Sequence, residues 1–203
     1  MSKPFFSVII PAHNSAEYIR TGLDSIRAQD WTDYELIVVC DNCTDNTAEI
    51  AREYTDKVYE VRFGLDGKAR NIGLDMAEGF WVLFMDDDDH FLHEFVFRQI
   101  AGKLMEVSVD VLAFSFIWKG KRYQAQTPAR RNIAAWTKCW RRDFIGETRF
   151  SDVPYWGDVD FNRLMFGKNP RVFYWDMPMY YYNYLRPGSI SWREKQGEIK
   201  GRG

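Results

Sequence analysis

Three short apolar runs, each cut off by a polar cluster, constrain the fold of this chain more than any other feature. Residues 5–10 (FFSVII), 36–39 (LIVV) and 81–85 (WVLFM) are continuously hydrophobic rather than alternating. A strand of that kind is buried on both faces, which is the habit of parallel sheets. Helical spacing recurs between the runs, through Tyr18, Ile19, Gly22, Leu23 and Ile26, then Ile50, Ala51 and Tyr54, then Ala69, Ile72, Gly73, Met76 and Ala77. Ser15 is placed to cap the first of these helices, and Asp45 or Asn46 the second. A weak strand at 58–61, a long amphipathic helix through Leu92, Phe95, Val96, Ile100 and Leu104, and a strand at 109–117 complete the alternation over about the first 115 residues. Such alternation predicts an α/β fold: a mostly parallel, Rossmann-like central sheet with helices on both faces and right-handed crossovers.

After residue 116 the pattern changes. Residues 118–123 read as a hairpin with its tight turn at Lys119 and Gly120. An irregular basic stretch holding Arg130 and Arg131 follows, then a strand at 136–141. A short helix is expected at 158–166 with Phe161, Leu164 and Met165 on one face, then strands at 172–175 and 179–185 joined near Pro178. From Glu194 onward the charged, Gly-containing end is expected to fray. The length, 203 residues, suits one domain, divided into about 1–115 and an aromatic-rich remainder, 116–203. Aromatic residues make up 17% of the chain, many of them in that second part, where flat rings serve either a core or the C–H faces of sugars.

Charge and cysteine usage exclude several classes. A formal net charge of −2 offers no basic face for a nucleic acid, so no nucleic-acid partner is expected. Three cysteines, Cys40, Cys43 and Cys139, are too few and odd in number for a disulfide framework and suit a reducing compartment. No leader-like segment and no run of about 18 apolar residues occurs, so a cytoplasmic protein is expected, with peripheral docking to a membrane still compatible. Nothing in the sequence indicates an oligomeric state.

Ligands of an open parallel sheet sit beyond the C-terminal ends of its strands. Three polar groups fall there: Pro11, Ala12, His13 and Asn14 after the first strand; Asp41 to Asp45 after the second; and the run Asp86, Asp87, Asp88 and Asp89 after Met85. Four adjacent carboxylates repel one another, and a hard divalent cation such as Mg²⁺ or Mn²⁺ relieves that repulsion through oxygen ligands. Asp86 and Asp88 share an orientation if the loop is extended; the competing reading is a solvated acidic turn. Asp41 alone reads better as a turn or capping residue than as a ligand contact, and Arg70 serves a phosphate or a surface carboxylate equally well. Cys40-x-x-Cys43 lacks a second ligand pair for zinc, and His90 and His93 flank the acidic run as weak candidate ligands. Neither a nucleophile elbow nor a glycine-rich phosphate loop is present, so phosphates would be met by metal and arginine.

Taken together, these residues resemble family 2 glycosyltransferases of GT-A fold. The run SVIIPAHNSAEYIRTGLDSIRAQDWTDYELIVVCDNCTDNT is similar to the family's SVIIPxYN and IIVVDDGSTDNT, and GKARNIGLDMAEGFWVLFMDDDD to its ARNxGLxxAxGxYIxFLDxDD. The likeness is strong over residues 5–105 and weakens afterwards. It implies an inverting transfer from a nucleotide-diphosphate sugar, UDP by analogy, to a hydroxyl of a carbohydrate or glycolipid acceptor, in polysaccharide or glycoconjugate synthesis. Pro11, Ala12, Asn14, Asp41, Arg70, Asp86 and Asp87 would bind the donor, and Asp88 with Asp86 would hold Mn²⁺ or Mg²⁺. Residues 156–162 (WGDVDFN) resemble the family's Glu-Asp-x-x-Phe segment, so Asp158 matches the catalytic base and Asp160 competes with it. Residues 186–191 (RPGSIS) resemble a C-terminal Arg-x-x-Ser segment over the donor phosphate. Trp156, Tyr155 and Tyr180 to Tyr182 would shape the acceptor site. Four departures stand out: Cys40 for an aspartate, Cys43 for serine, His13 for tyrosine and Gly157 for the glutamate. The rival expectations are a nucleotidyltransferase, which wants a glycine-rich loop where PAHNSAEYI stands, and a nucleotide-sugar binding module without turnover, which donor hydrolysis would separate.

Overall fold

In a computed structural model the chain is described over residues 3–124, 134–183, 187 and 189–198. The basic stretch with Arg130 and Arg131, and also Arg186, lie outside the described residues. The first half runs β1 (Phe6–Ala12), α1 (Ile19–Arg27), β2 (Tyr34–Asp41), α2 (Thr47–Arg52), β3 (Val58–Val61), α3 (Asp66–Met76) and β4 (Trp81–Phe84). A two-residue β5 (His90–Phe91), α4 (Val96–Glu106), β6 (Val111–Trp118) and β7 (Lys121–Tyr123) follow. A 3-10 turn (Ala135–Thr137) leads into β8 (Lys138–Arg141), then α5 (Arg142–Ile145), α6 (Gly157–Gly167), β9 (Val172–Tyr182) and α7 (Ile190–Lys195).

These strands form one sheet in the order β3-β2-β1-β4-β8-β6-β9-β5, with β7 paired to β6. The sheet is mostly parallel. Strands β1 to β4 run together, short β8 inserts antiparallel, and β6 and β9 then resume the first direction. Ile9, Ile10, Ile37, Val38, Val39, Val82 and Leu83 are buried, as continuous apolar runs demand. Each fully buried aliphatic side chain of this kind contributes roughly 1.5–3 kcal/mol.

Helices cover both faces. On the face to which Ile9 points, a Cβ on Gly73 would lie 2.3 Å from Ile9 Cγ2, so α3 sits as close to β1 as a glycine allows. On the face of Phe6, the ring of Phe97 from α4 packs 5.4 Å from the Phe6 ring. Gly22 of α1 is equally constrained: a Cβ there would stand 2.7 Å from the Asp89 carbonyl oxygen. Two glycines thus set helices α3 and α1 directly against the strand ends that carry the polar clusters.

Several local expectations are corrected. Ser15 does not cap α1. Its carbonyl accepts from the Tyr18 and Ile19 N–H groups in a preceding turn, and Tyr18 is the N-cap. Asp45 does serve α2, its Oδ1 accepting from the Thr47 N–H at 3.1 Å. Met76, Phe95 and Leu164, placed inward by helical spacing, are 40%, 46% and 52% exposed, while Arg70 is buried instead. Residues 172–182 form one strand, because a register shift opposite Ser115 absorbs the irregularity at Pro178 without ending the pairing with β6. The frayed end expected from Glu194 begins inside a helix, Ile190–Lys195. The hairpin turn at Lys119 and Gly120 is as expected, with φ of 49° and 70°.

Candidate active site

The parallel register fixes where the polar clusters meet. Ile9 pairs with Phe84 and Ala12 with Cys40, so the residues after β1, β2 and β4 emerge along one edge. The His13 N–H donates to Asp87 Oδ2 at 3.0 Å, and His13 Nδ1 donates to the Asp41 carbonyl at 2.6 Å. A carbonyl only accepts, so Nδ1 carries the proton. Pro11, Ala12, His13, Asp41, Arg70 and Asp86 to Asp88 line a single cavity of about 350 Å³. Asn14 does not line it. Its backbone is left-handed (φ 46°) and its Oδ1 accepts from the Thr44 N–H at 2.7 Å, fastening the neighbouring loop instead.

Asp41 combines its two sequence readings. Its carboxylate accepts from the N–H groups of Phe63, Gly64 and Leu65 at 2.6, 3.0 and 2.9 Å, which ties the loop before α3 to the end of β2. The same residue faces the cavity. The acidic run divides by function in a way that adjacency hid. Asp89 is fully buried and accepts from the Tyr180 hydroxyl and the Asn183 N–H, both at 2.7 Å. It anchors the end of β9 rather than the cavity, and burial beside the other carboxylates holds its pKa well above the usual carboxylate range. His90 stacks on Tyr181 with centroids 4.7 Å apart, and His93 Nδ1 accepts from the Phe95 N–H, so neither histidine lines the cavity. Cys40 and Cys43 are free thiols and do not line it.

Arg70 is the hub. Only 3% of its side chain is exposed, and it pairs with Asp66, with Asp86 Oδ1 at 2.6 Å and with Asp158 Oδ1 at 3.8 Å. Its Nε is buried and without a hydrogen-bond partner among the described residues. Asp66, which the sequence reading did not single out, lies one turn before Arg70 on α3 and faces the same side. Asp158 sits in the first turn of α6, where the helix dipole favours a carboxylate. It is not the N-cap: Trp156 is, in left-handed conformation with φ 66°. The Asp158 Oδ2 accepts from the Ala135 N–H at 3.1 Å. Asp160 is turned elsewhere, toward Ser151 Oγ at 3.0 Å and Arg163, and lines neither cavity.

Asp158 opens onto a second cavity of about 360 Å³ whose walls are aromatic, with Trp118, Tyr123, Trp136, Tyr155, Trp156 and Tyr182 among them. The two cavities adjoin, sharing Asp66, Arg70, Asp86, Pro154 and Tyr182. Tyr180, expected beside them, is instead core: fully buried and stacked on Trp136. The last described segment contributes Ser189 and Arg193 to the first cavity, and Arg193 also lies 5.7 Å from the Tyr155 ring.

The first cavity carries a charge imbalance. Among the described residues its lining has five carboxyl groups (Asp41, Asp66, Asp86, Asp87, Asp88) against two guanidiniums (Arg70, Arg193). Removal from water, together with neighbouring Asp158, Asp66 and Asp88 and despite Arg70, pushes the Asp86 pKa up to about 8. No group of three His, Cys, Asp or Glu side chains among the described residues forms a ready cage. The residues therefore fit a hard cation held by one or two carboxylates plus ligand phosphates, and do not fit a closed structural zinc site. Because the folded Asp86 keeps its proton to about pH 8 and the unfolded one only to about 3.8, its contribution to stability is full at low pH and lost as pH rises through 8. Asp86→Asn should accordingly raise the melting temperature of the metal-free protein at pH 8 by about 2–4 °C. That gain should shrink toward pH 4; thermal melts in chelator at both ends check it, and equal melting points at pH 8 would refute it.

Comparison with known proteins shows the family and the fold. A family model described as "Glycosyl transferase family 2" matches residues 7–167. A "PGL/p-HBAD biosynthesis glycosyltransferase" of Mycobacterium bovis (strain BCG / Pasteur 1173P2) is 31% identical over 188 residues, covering 85% of this chain and 73% of that protein. "Poly(ribitol-phosphate) beta-N-acetylglucosaminyltransferase TarS" of Staphylococcus aureus (strain MW2) is 40% identical over 115 residues, covering 53% of this chain; the chain spans 20% of TarS. The crystal structure of S. aureus TarS 1-349 in complex with UDP-GlcNAc matches 91% of this chain and 59% of that one with TM-score 0.79 at 28% identity. Mannosyltransferase PcManGT from Pyrobaculum calidifontis, in complex with GDP-Man and Mn²⁺, shares the fold at TM-score 0.75 and 17% identity, over 97% of this chain and 62% of that one. No helix among the described residues is long and apolar enough to cross a membrane.

Proposed function

The chain belongs to glycosyltransferase family 2, and from that premise we propose that it transfers a sugar, with inversion, from a UDP-linked donor to a hydroxyl of a carbohydrate or glycolipid acceptor. The observation that carries this reading is the pair of adjoining cavities, one acidic and one aromatic, with Arg70 and Asp86 in their common wall and Asp158 at the mouth of the second. A donor in the first cavity places its sugar at that wall. An acceptor in the second brings its hydroxyl to Asp158 from the opposite side, which is the geometry of a single displacement.

In this assignment Pro11, Ala12 and Asp41 hold the nucleotide, and Arg70 and Arg193 face its phosphates. The Nε–H of Arg70 is buried without a partner among the described residues, at a cost of about 1–3 kcal/mol, so the guanidinium is held in place by its carboxylates at Nη1 and Nη2. Asp88, with Asp86, would hold Mn²⁺ or Mg²⁺, which when bound neutralises the diphosphate as it departs. Asp158 accepts the proton of the acceptor hydroxyl through Oδ1 while Ala135 fixes Oδ2. The rings of Trp118, Trp136, Tyr155 and Tyr182 present flat apolar faces to a pyranose. Among the described residues lining that cavity the one cation is Arg70, already shared by three carboxylates. UDP rests on TarS, whose crystal structures hold UDP and UDP-GlcNAc.

Thermal melts with UDP-sugars and GDP-sugars, with and without Mn²⁺, test the donor. A ligand at 100 times its Kd adds about 2.7 kcal/mol, or roughly 5–10 °C for a chain of this size. UDP-sugars should give that shift only with the cation. A shift without any donor hydrolysis or transfer would leave a binding module, and the absence of any shift would remove the proposal.

A further inference from the structure

Lys138 is the first residue of β8 and is only 3% exposed. Lysine almost always keeps its ammonium in water, because desolvating a charge is costly. Here the ammonium donates to the Ala134 carbonyl at 2.9 Å and to Thr137 Oγ1 at 3.1 Å. Both acceptors belong to one tight turn, 134–137. The same turn supplies the Ala135 N–H that holds Asp158 Oδ2. Its Thr137 hydroxyl also donates to the Ala134 carbonyl, at 3.1 Å. One side of the turn is therefore fastened to a buried cation and the other to the carboxylate assigned as base.

Packing alone does not call for a charge at this position. Lys138 pairs across the sheet with Ala113, and its neighbours Thr137, Cys139 and Trp140 are buried. Methionine has similar length and no charge to desolvate. Burial lowers the lysine's pKa to about 7, and Asp158 on α6 is the carboxylate that offsets part of that loss. The Trp140 ring lies 5.8 Å from Nζ. The other charged groups around Asp158 are Arg70, at 3.8 Å, and the Asp66 and Asp86 carboxylates that share it.

We propose that Lys138 is a positioning residue for Asp158: by gripping the 134–137 turn it holds the Ala135 N–H on Oδ2 and leaves Oδ1 turned to the acceptor hydroxyl. The proposal rests on the assignment of Asp158 as base, and concerns kcat rather than donor affinity. The donor cavity does not include Lys138 or any residue of the turn.

Two variants separate positioning from mere support of the fold. Lys138→Met removes every donor; Lys138→Gln keeps an N–H for the Ala134 carbonyl without the charge. Lys138→Met should lower kcat for transfer about 10–100-fold while donor Kd, read by calorimetry with UDP-sugar and Mn²⁺, stays within about twofold. Lys138→Gln should recover most of the lost kcat. Combining Lys138→Met with Asp158→Asn should cost little beyond Asp158→Asn alone, since residues acting as a unit are not additive. Should Lys138→Met fail to fold, Thr137→Val, which removes one acceptor of the ammonium, should show the same split. Wild-type kcat in Lys138→Met, or parallel losses of kcat and donor affinity in the folded variants, would overturn the proposal. Turnover that survives in Asp158→Asn would instead remove the base assignment beneath it, so the two failures are distinguishable.

Discussion

Asp158→Asn is expected to bind donor as the parent does and to lose transfer by about 10²–10⁴-fold, the usual span for general-base help. In free energy that is roughly 2.7–5.4 kcal/mol of transition-state stabilisation, at 1.36 kcal/mol per tenfold. The reasons lie in the two oxygens. Oδ2 is occupied by the Ala135 N–H, an arrangement an amide oxygen can keep, so the turn and α6 need not move. Oδ1 stands 3.8 Å from Arg70 and opens on the aromatic cavity; replacing it by an NH₂ removes the lone pair that takes the proton and sets two donors against a guanidinium. Asp160→Asn is the internal control, since that carboxylate is engaged with Ser151 and Arg163 outside both cavities. Single-turnover transfer, with calorimetric donor titration of the same samples, makes the measurement. Transfer at the parent rate in Asp158→Asn would sink the assignment, and an inactive Asp160→Asn beside it would name the replacement.

Asp88→Asn should abolish the cation dependence of donor binding, a loss of at least about 10²-fold in affinity at saturating Mn²⁺, or 2.7 kcal/mol and more. Beside it, Asp86 pairs with Arg70, and Asp87 accepts from the His13 N–H. Asp88 is the third carboxylate of the run on the same cavity. Even with Asp86 protonated, the carboxylates lining the cavity outnumber the two guanidiniums among the described residues and repel a diphosphate, and the cation is what reverses that sign. Without Asp88 the donor would meet the residual negative field, and Kd measured with Mn²⁺ and with chelator should become alike. A variant that still shows a strong Mn²⁺ effect would mean that other carboxylates hold the ion.

Much of the fold was legible because one signal governs it. Continuous apolar runs ended by polar clusters place β1, β2 and β4 side by side, and parallel register then forces the residues after them to one edge. Asp41 and Asp86 to Asp88 were placed at that edge on this ground, Arg70 was named through the family resemblance, and all of them line one cavity. Misreadings occurred where local patterns compete with tertiary ones. Helical spacing placed Met76 and Leu164 inward and left Arg70 outward or undecided, whereas half-buried carboxylates on neighbouring elements draw a guanidinium in. Asn14 was carried with its neighbours after β1, but a left-handed backbone turns it to Thr44. Asp89 belonged to the acidic run by adjacency and to the core by hydrogen bonding.

Other residues left little or no trace in one dimension. Asp66 is legible only as a carboxylate four positions before Arg70. Lys138 stands between Trp136 and Trp140 in a stretch read as a strand, and a lysine there is ordinarily a solvated one. Arg193 lies among end-of-chain charges that look like a tail. The sequence by itself determined the sheet, the edge at which ligands meet it and the acidic character of that edge, because strand burial and register depend on local hydrophobic pattern. Only the tertiary structure decided which carboxylates share Arg70, that Asp158 rather than Asp160 faces the aromatic cavity, and that a buried lysine braces the turn beside it. Those outcomes depend on distances between residues 16 to 88 positions apart, as from Arg70 to Asp86 and to Asp158, which no local pattern encodes.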